Sequence, residues 1–349
     1  MKKFIPYLLI IIGLAGAAIW YKVHNSPEAV KEREGDFAYK QTDKIGRIVI
    51  QGSNDNKQAT LTAVDGHWVV NGKYEARPEL ISQLLEAVAQ LTSLAPVPSN
   101  AHDNVLREMM ASNIHVQIYD RDNNLVKEYM VGGASVDKEN TYMLLYLHGE
   151  PASRPHLVYI PGFRGYVSPR FETDEEVWRT RTLFSYTPDQ IKSVQVAYSE
   201  TPENSYTITR VAPDSFSVEA INPKYTINNN YEQKYVLQYL NFFNSISIEA
   251  YDNSYSGKDS LLKTIPACVI TVVDTANKTN TARLFHMPLN KRSKAVYDLK
   301  GNELTYDIDR YYAAIHQDKD FAIVQYFVFG KLMRNYKDFF FKPTIVANP

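Results

Sequence analysis

The residues best suited to binding chemistry are four arginines that lie among aromatic side chains between residues 161 and 186. A guanidinium group stacks on aromatic rings and grips carboxylates or phosphates through paired hydrogen bonds. Acidic residues occur in the same stretch, at 172 and 174–176, so internal ion pairs would use the same arginines. We consider two roles, contact with a ligand or partner and a lock between two halves of the chain, and favour the lock. The candidate residues are Arg164, Tyr166, Arg170, Phe171, Trp178, Arg179 and Arg181.

Patterns typical of catalysis or cofactor binding are absent from these 349 residues. The eight histidines form neither an H-E-x-x-H motif nor a close pair. There is no phosphate-binding G-x-x-x-x-G-K-[ST] loop and no G-x-S-x-G turn that would expose a nucleophilic serine. The sequence therefore predicts no catalytic residue, no metal site and no cofactor.

Two short segments imitate binding loops. Residues 120–124 (DRDNN) resemble the start of a calcium loop, but the glycine at its sixth place and the glutamate at its twelfth, here Val131, are missing. A hairpin turn explains this segment better. Gly132 and Gly133 follow a strand and offer backbone N–H groups to an anion, or else form a turn that needs positive φ. We favour the turn.

Composition and charge limit the class of protein. The net charge is −1 with no long basic cluster, which argues against a nucleic-acid partner. The single cysteine, Cys268, rules out a disulfide within the chain and a cysteine-rich metal site. Because it lies in a strand-like run, we expect a small buried hydrophobic residue. The 25 tyrosines are typical of half-buried sheet faces.

The segment Phe4–Trp20 has no charged side chain and just reaches the length of a membrane-spanning helix. Lys2 and Lys3 precede it, which predicts a cytoplasmic N-terminus and an exported body. The segment also contains small residues at 15–17 that suit a signal-peptide cleavage site. An uncleaved inner-membrane anchor is favoured, with a soluble periplasmic protein after cleavage as the alternative.

The body begins after a polar linker at residues 23–42. Ile45, Ile48 and Ile50 predict a strand, and Asp65-Gly66 predicts a hairpin turn. Leucines and a valine at helical spacing predict a helix from Pro78 to Leu91, and a second, short helix is expected at Asn104–Ala111. The aromatic and basic tail Phe327–Pro349 suits either a membrane or partner surface or a segment that folds back on the body.

The order of these elements recurs in the second half, at an offset that rises slowly from 146 to 154 residues. We predict a tandem duplication of a β-β-β-α-β-β unit. The fold class is α+β, with an N-terminal transmembrane helix and two repeats, each an antiparallel sheet packed with one main helix. The repeats are residues 43–186, including a connector from Pro161, and 187–349, after an anchor or signal segment at 1–22. The matched residues are Ile45 with Ile191, Leu61 with Ile208, Trp68 with Phe216, Tyr74 with Tyr225, the helical positions Leu84, Val88, Leu91 and Leu94 with Val236, Leu240, Phe243 and Ile246, and Val116, Ile118 and Asp120 with Ile270, Val272 and Asp274.

A string of short motifs resembles one bacterial family over roughly residues 36–340. The motifs are VNGKY at 70–74, ARP at 76–78, PVP at 96–98, YMVGG at 129–133, TYML at 141–144, IPGF at 160–163 and the stretch PRF…WRTR at 169–181. The family is the domain of unknown function 4340 family, whose relatives include accessory proteins of gliding-motility-type ABC transporters. The resemblance implies a membrane-tethered periplasmic protein and transfers no catalytic residue.

Two functions follow as hypotheses. The favoured one is a non-enzymatic, membrane-anchored periplasmic protein that serves as an accessory or scaffold component of an envelope transport or motility-type complex. Its partners would be the inner membrane, through Phe4–Trp20, and an envelope protein. The alternative is a periplasmic module that binds, or hydrolyses, a glycan or lipid in a cleft between the repeats. Paired carboxylates with raised pKa values in a deep pocket would favour the alternative, and a shallow tyrosine-lined surface the scaffold.

Overall fold

The computed structural model describes residues 13–16, 34–53, 57–228, 230–298 and 300–340. The chain is a mixed α+β protein with mostly antiparallel sheets, as predicted. It divides into two compact units between Thr180 and Arg181, whereas the sequence placed this boundary after residue 186. The difference arises because strand Thr182–Phe184 pairs with Ile246–Ser247 of the second unit.

The first unit contains a ten-stranded sheet. The strands are β1 (Ile45–Gly52), β2 (Gln58–Val64), β3 (His67–Val70), β4 (Tyr74–Glu75), β5 (Thr92–Pro96), β6 (Ile114–Asp120), β7 (Leu125–Ala134), β8 (Thr141–Leu147), β9 (Glu150–Pro151) and β10 (His156–Tyr159). They are ordered β4-β3-β2-β1-β6-β7-β8-β10-β5, with β9 against β8. The helices are α1 (Pro78–Gln90), α2 (Ser99–Ala111) and α3 (Glu175–Trp178).

The helices of the first unit differ from the prediction of one main helix per repeat. Helix α1 begins with Pro78, as predicted, because proline's fixed φ suits the first helical turn. Helix α2 is as long as α1, and it begins at Ser99 rather than Asn104. Its first turns carry mostly polar residues, so apolar periodicity shows only from Val105 onward. The equivalence of Leu94 with Ile246 as helical positions is also wrong, because both lie in strands.

The second unit contains an eight-stranded sheet and a two-stranded ribbon. The sheet runs β14-β13-β12-β17-β18-β19-β20-β16, and β11 pairs with β15. The strands are β11 (Thr182–Phe184), β12 (Ile191–Tyr198), β13 (Tyr206–Ala212), β14 (Ser215–Ala220), β15 (Ile246–Ser247), β16 (Ala250–Tyr251), β17 (Cys268–Asp274), β18 (Thr279–Pro288), β19 (Tyr306–Ile315) and β20 (Asp320–Gln325). The helices are α4 (Gln233–Leu240), α5 (Lys258–Leu261) and α6 (Tyr326–Phe329).

The strand pairings of the two sheets follow the same register. Strand β1 pairs with β2 and β6 as β12 pairs with β13 and β17. Each central strand carries a bulge at its start, between Ile45 and Arg47 and between Ile191 and Ser193. The repeated residues therefore occupy the same places in two sheets of the same local order.

Gly132 and Gly133 do not form the predicted turn. Both lie within β7, and neither has a positive φ. A Cβ on Gly132 would lie 2.7 Å from Met109 Cγ and 3.1 Å from the Tyr142 carbonyl oxygen. The glycine is needed because helix α2 packs closely on the sheet at this point.

Cys268 is fully buried in the second core, as predicted. Burial raises the pKa of its thiol to about 12, which keeps the sulfur in its unreactive protonated form. We expect a thiol-alkylating reagent to modify the native chain at least about a hundredfold more slowly than the unfolded chain. Intact mass after timed labelling, with and without denaturant, checks this; equal rates would show that the strand is open to solvent.

Buried His156 should make the first unit sensitive to acid. Its Nδ1 lies 2.7 Å from Ser93 Oγ, and burial lowers the pKa of the ring below its usual 6.5, against an opposing effect of Glu34. The unfolded chain therefore binds this proton at a higher pH than the folded chain, so stability is lost as pH falls below about 6.5. Urea unfolding at about pH 7.5 and about pH 5.5 should show a smaller acid loss for His156→Gln than for the unaltered chain. An equal loss would rule the ring out as its source.

The predicted membrane segment Phe4–Trp20 lies outside the described residues, apart from the helical residues 13–16. Among the residues that the structure describes, no helix has both the length and the apolar character needed to cross a membrane. The C-terminal tail folds back on the second unit as far as residue 340. Its Phe329, Leu332, Tyr336 and Phe339 are buried in that unit's core, and residues 341–349 are outside the description.

Candidate functional site

One surface cavity in the described part of the first unit is a cleft of about 780 Å³ at one end of its sheet. This volume lies within the range of small-ligand sites. The cleft is bounded by the β2–β3 hairpin, the start of β1, the β6–β7 turn and one residue of α1. It is lined by Thr42, Asp43, Ile45, Gly46, Arg47, Thr62, Ala63, Val64, Asp65, Gly66, His67, Trp68, Leu85, Asp120, Arg121 and Asn123.

One wall of the cleft is the hairpin that the Asp65-Gly66 pair was predicted to form. Both turn residues have positive φ, at 47° and 86°, which matches the turn type that twisted hairpins require. Ala63 and Trp68 lie directly opposite each other across the hairpin. Both continue the core-facing side of their strands, two residues beyond the buried pair Leu61 and Val70. The indole therefore lies where the core opens to solvent.

The floor of the cleft is the bulge at the start of β1. A short 3-10 helix, Thr42–Lys44, leads into the bulge. At Gly46 an added Cβ would meet the Asp120 carbonyl oxygen at 2.7 Å, so the strands approach too closely there for another side chain to fit without movement.

The opposite wall is the β6–β7 turn, which is the predicted hairpin turn rather than a calcium loop. The Asp120 carboxylate accepts hydrogen bonds from the backbone N–H groups of Asp122 and Asn124, at 3.0 and 2.8 Å. The Asn124 side-chain amide, at 3.0 Å, holds the pKa of Asp120 below its usual range. Arg47 stacks 3.9 Å from the centre of the Tyr119 ring and donates to Asn123 Oδ1 at 2.6 Å.

These groups suit recognition of a polar or cationic group more than proton transfer. Asp120, with its lowered pKa, stays ionised near neutral pH and is a poor general acid. Asp43 and Asp65 are exposed at the rim, and Trp68 offers a ring face. Aromatic faces and carboxylates attract cations together.

The structure does not assemble the seven arginine and aromatic candidates into one surface. Phe171 and Trp178 are buried in the first core, where Phe171 packs edge-on against Tyr129 with ring centres 5.9 Å apart. Arg164 and Tyr166 are exposed. Arg181 falls in the second unit, where its carbonyl accepts a hydrogen bond from Ile248 N at 2.8 Å.

The two remaining arginines contact groups of the first unit. Arg179 is buried, and its guanidinium lies 3.6 Å from the centre of the Tyr74 ring. Arg170 lies 5.1 Å from the centre of the Phe163 ring and borders a smaller cavity of about 250 Å³. A role of Arg164 and Tyr166 in partner contact stays a prediction. The side chains of Phe171 and Trp178 are buried, so they are not accessible to a partner.

Acidic residues near these arginines bind to the sheet of the first unit. Asp174 forms an ion pair of 2.5 Å with Lys57, and Glu175 accepts a 2.7 Å hydrogen bond from Asn71. Burial, with Asp174 nearby, raises the pKa of Glu172. Neither Glu172 nor Asp174 lines the cleft, so this carboxylate pair does not provide acid–base chemistry there.

The second unit carries a tyrosine-lined surface on β18 and β19. His286 stacks on Tyr306 with ring centres 4.6 Å apart and lies 5.5 Å from Tyr311. Tyr306 and Tyr326 are nearly half exposed. Surfaces rich in tyrosine are typical of protein interfaces.

A comparison of this chain with protein-family models, curated proteins and solved structures found no match. The cleft itself was missed in the sequence, because none of its residues belongs to a catalytic motif. A usable signal existed in the internal sequence match, which aligns Ala63 with Arg210 two residues after the matched pair Leu61 and Ile208.

Proposed function

We propose that this chain is a non-enzymatic, membrane-anchored periplasmic protein that binds another protein of the cell envelope. It would act as an accessory or scaffold component of a transport or motility-type complex. The apolar segment Phe4–Trp20 and the family resemblance support the location. The repeated strand register supports a tandem duplication, which presents two related surfaces on one chain.

The cleft of the first unit is the observation that carries the proposal. It combines an aromatic wall with exposed carboxylates at the rim, and such groups together attract a cationic group of a partner. Asp120 remains ionised and the raised-pKa Glu172 lies elsewhere, so the cleft favours binding over hydrolysis. The tyrosine-lined surface of the second unit is a further area of the kind found in protein contacts.

Site-specific photo-crosslinking in cells that naturally produce the protein tests this function. A benzoylphenylalanine in place of Val64, at the cleft, should yield a discrete adduct with one envelope protein. Val211, on the corresponding hairpin of the second unit, is the matched control because it is 63 % exposed. Adducts of equal yield from both positions, or none from position 64, would contradict partner binding at the cleft.

The location is tested separately by reporters fused to the C-terminus. An alkaline phosphatase reporter, which is active only after export, should be active, and a fluorescent reporter that folds in the cytosol should remain dark. The reverse pattern would place the body in the cytoplasm and would remove the envelope part of the proposal.

A further inference from the structure

The second unit shows what kind of group the cleft is shaped to hold. At the equivalent place, the guanidinium of Arg210 lies 4.5 Å from the centre of the Phe216 ring. Its Nε donates to the Ile191 carbonyl oxygen at 2.8 Å. Its two terminal nitrogens donate to the carbonyl oxygens of Pro213 and Pro188. An arginine of the chain itself therefore fills the open end of the second core.

The first unit has the same backbone frame around its cleft. Ala63 opposes Trp68 across β2 and β3 as Arg210 opposes Phe216 across β13 and β14. The 3-10 turn Thr42–Lys44 precedes the bulge of β1 as Pro188–Gln190 precedes that of β12. The correspondence follows from the strand pairing and does not depend on a sequence alignment.

All three acceptor positions recur in the lining of the cleft. Thr42 takes the place of Pro188, because each residue begins its 3-10 turn. Ile45 takes the place of Ile191, because each residue precedes the bulge of its strand. Asp65, the first residue of its hairpin turn, takes the place of Pro213. A carbonyl oxygen has two lone pairs, so an acceptor that already closes a turn can take a second donor, as that of Pro188 does.

The two frames differ in the side chain that occupies them. The first unit has the methyl group of Ala63 where the second has a guanidinium, and Trp68 is a larger ring than Phe216. The second unit also has one extra residue, Val211, between Arg210 and the turn. The first frame thus lacks the guanidinium that Arg210 places in the second, and Arg47 and Arg121 are the basic residues of its lining.

We infer that the first-unit cleft binds the guanidinium group of an arginine side chain presented by the partner protein. The ring of Trp68 would stack on the guanidinium. The carbonyl oxygens of Thr42, Ile45 and Asp65 would accept hydrogen bonds from its three N–H donors. The lining carries the carboxylates of Asp43, Asp65 and Asp120 against the guanidinium groups of Arg47 and Arg121, so its balance of charge is acidic. This inference rests on the proposed function and specifies the chemistry that the partner must offer.

Arginine fits this frame better than lysine for geometric reasons. The guanidinium is planar, so it stacks flat on an indole while its N–H groups diverge in the ring plane. An ammonium group has three donors around one nitrogen and cannot reach three separated acceptors while it stacks. A neutral urea isostere, citrulline, keeps the plane but loses the charge.

Fluorine NMR on the full chain labelled with fluorotryptophan tests the inference. The chain has three tryptophans, so the Trp68 signal is assigned by substitution and buried Trp178 serves as an internal control. The probe is the peptide acetyl-Gly-Arg-Gly-amide. We expect a saturable shift of Trp68 alone, at least about tenfold weaker with the citrulline or lysine peptide. Equal midpoints for the arginine and citrulline peptides would overturn the inference.

The variant Ala63→Arg copies the second unit and should close the cleft from within. Before peptide is added, the fluorine chemical shift of Trp68 in this variant should lie near that of the peptide-bound unaltered chain, and the peptide should not change it. Val211→Arg adds the same charge elsewhere, so its Trp68 signal should respond to the peptide as that of the unaltered chain does. An undiminished response in Ala63→Arg would contradict the assignment. Tighter binding of free agmatine than of the peptide would assign the site to a small guanidine and would overturn the polypeptide source.

Competition in the photo-crosslinking experiment needs no variant of Ala63 and covers the case in which that variant does not fold. The arginine peptide should suppress the adduct formed from position 64, and the citrulline peptide should not. An adduct that neither peptide suppresses would overturn the arginine inference and leave the proposed function intact. A Trp68 shift without any adduct would confirm the guanidinium site and refute the proposed partner function.

Discussion

Replacing Trp178 with alanine should destabilise the first unit by about 3 to 5 kcal/mol, the usual cost of removing a large buried aromatic side chain. Trp178 is among the largest fully buried side chains of the described chain. Its indole N–H donates to the Glu172 carbonyl at 2.8 Å, and its own carbonyl accepts from Arg77 N at the start of α1. Truncation would leave a cavity and an unpaired carbonyl.

Hydrogen exchange measured by mass spectrometry localises this effect. Exchange should accelerate across residues 34–180 and much less across 181–340. Trp178→Phe should lose roughly half as much stability, because a ring still fills most of the space. Phe327→Ala, at a site that is 91 % exposed, should change stability by less than about 0.5 kcal/mol. Faster exchange confined to the second unit would show that Trp178 does not support the first core.

Replacing Arg210 with alanine should destabilise the second unit by about 2 to 4 kcal/mol, since it removes three charge-assisted hydrogen bonds and a cation–π contact. The Ile191 carbonyl would then lose the Nε donor of Arg210, and the Pro188 carbonyl would keep only the hydrogen bond that closes its turn. Arg210→Lys is the matched control: it keeps the charge but loses the planar fork, so we expect it to recover less than half of the loss. Urea unfolding followed by hydrogen exchange of residues 181–340 measures both.

The same substitution has a functional consequence. Arg210→Ala should create in the second unit the opening that Ala63 leaves in the first. The arginine peptide should then bind at two sites per chain, and Arg210→Lys should keep one. A stoichiometry of one for Arg210→Ala, in a variant that remains folded, would indicate that the two frames are not equivalent.

The difference between Ala63 and Arg210 at equivalent places also bears on how two similar sheets in one chain can have different roles. Arg210 fills the opening in the second unit, whereas Ala63 leaves the opening in the first unit that we propose a partner completes. A polar frame without its partner group costs free energy unless water satisfies it, and an open cleft allows water to do so. The exposed position of the cleft is therefore part of the reason that Ala63 is tolerated.

Much of the fold was predictable because local patterns determine it. Alternating apolar residues identify β1 and β17, and Asp65-Gly66 identifies the hairpin turn, since few other residues adopt positive φ at low cost. The offset between halves correctly matched Leu61 with Ile208 and Asp120 with Asp274, as the strand registers show. Cys268 was assigned to the core from its apolar neighbours alone.

What the sequence by itself determined is the α+β class, the repeated order of strands and the hairpin turns, because each depends on neighbours along the chain. The tertiary structure alone decided that Phe171 and Trp178 belong to the first core, and that Ala63 and Trp68 border an open cleft whose counterpart is filled by Arg210. These outcomes depend on which side chains meet across strands. A side chain's type does not reveal the space that its partner leaves, and only the folded sheet shows where that space is empty.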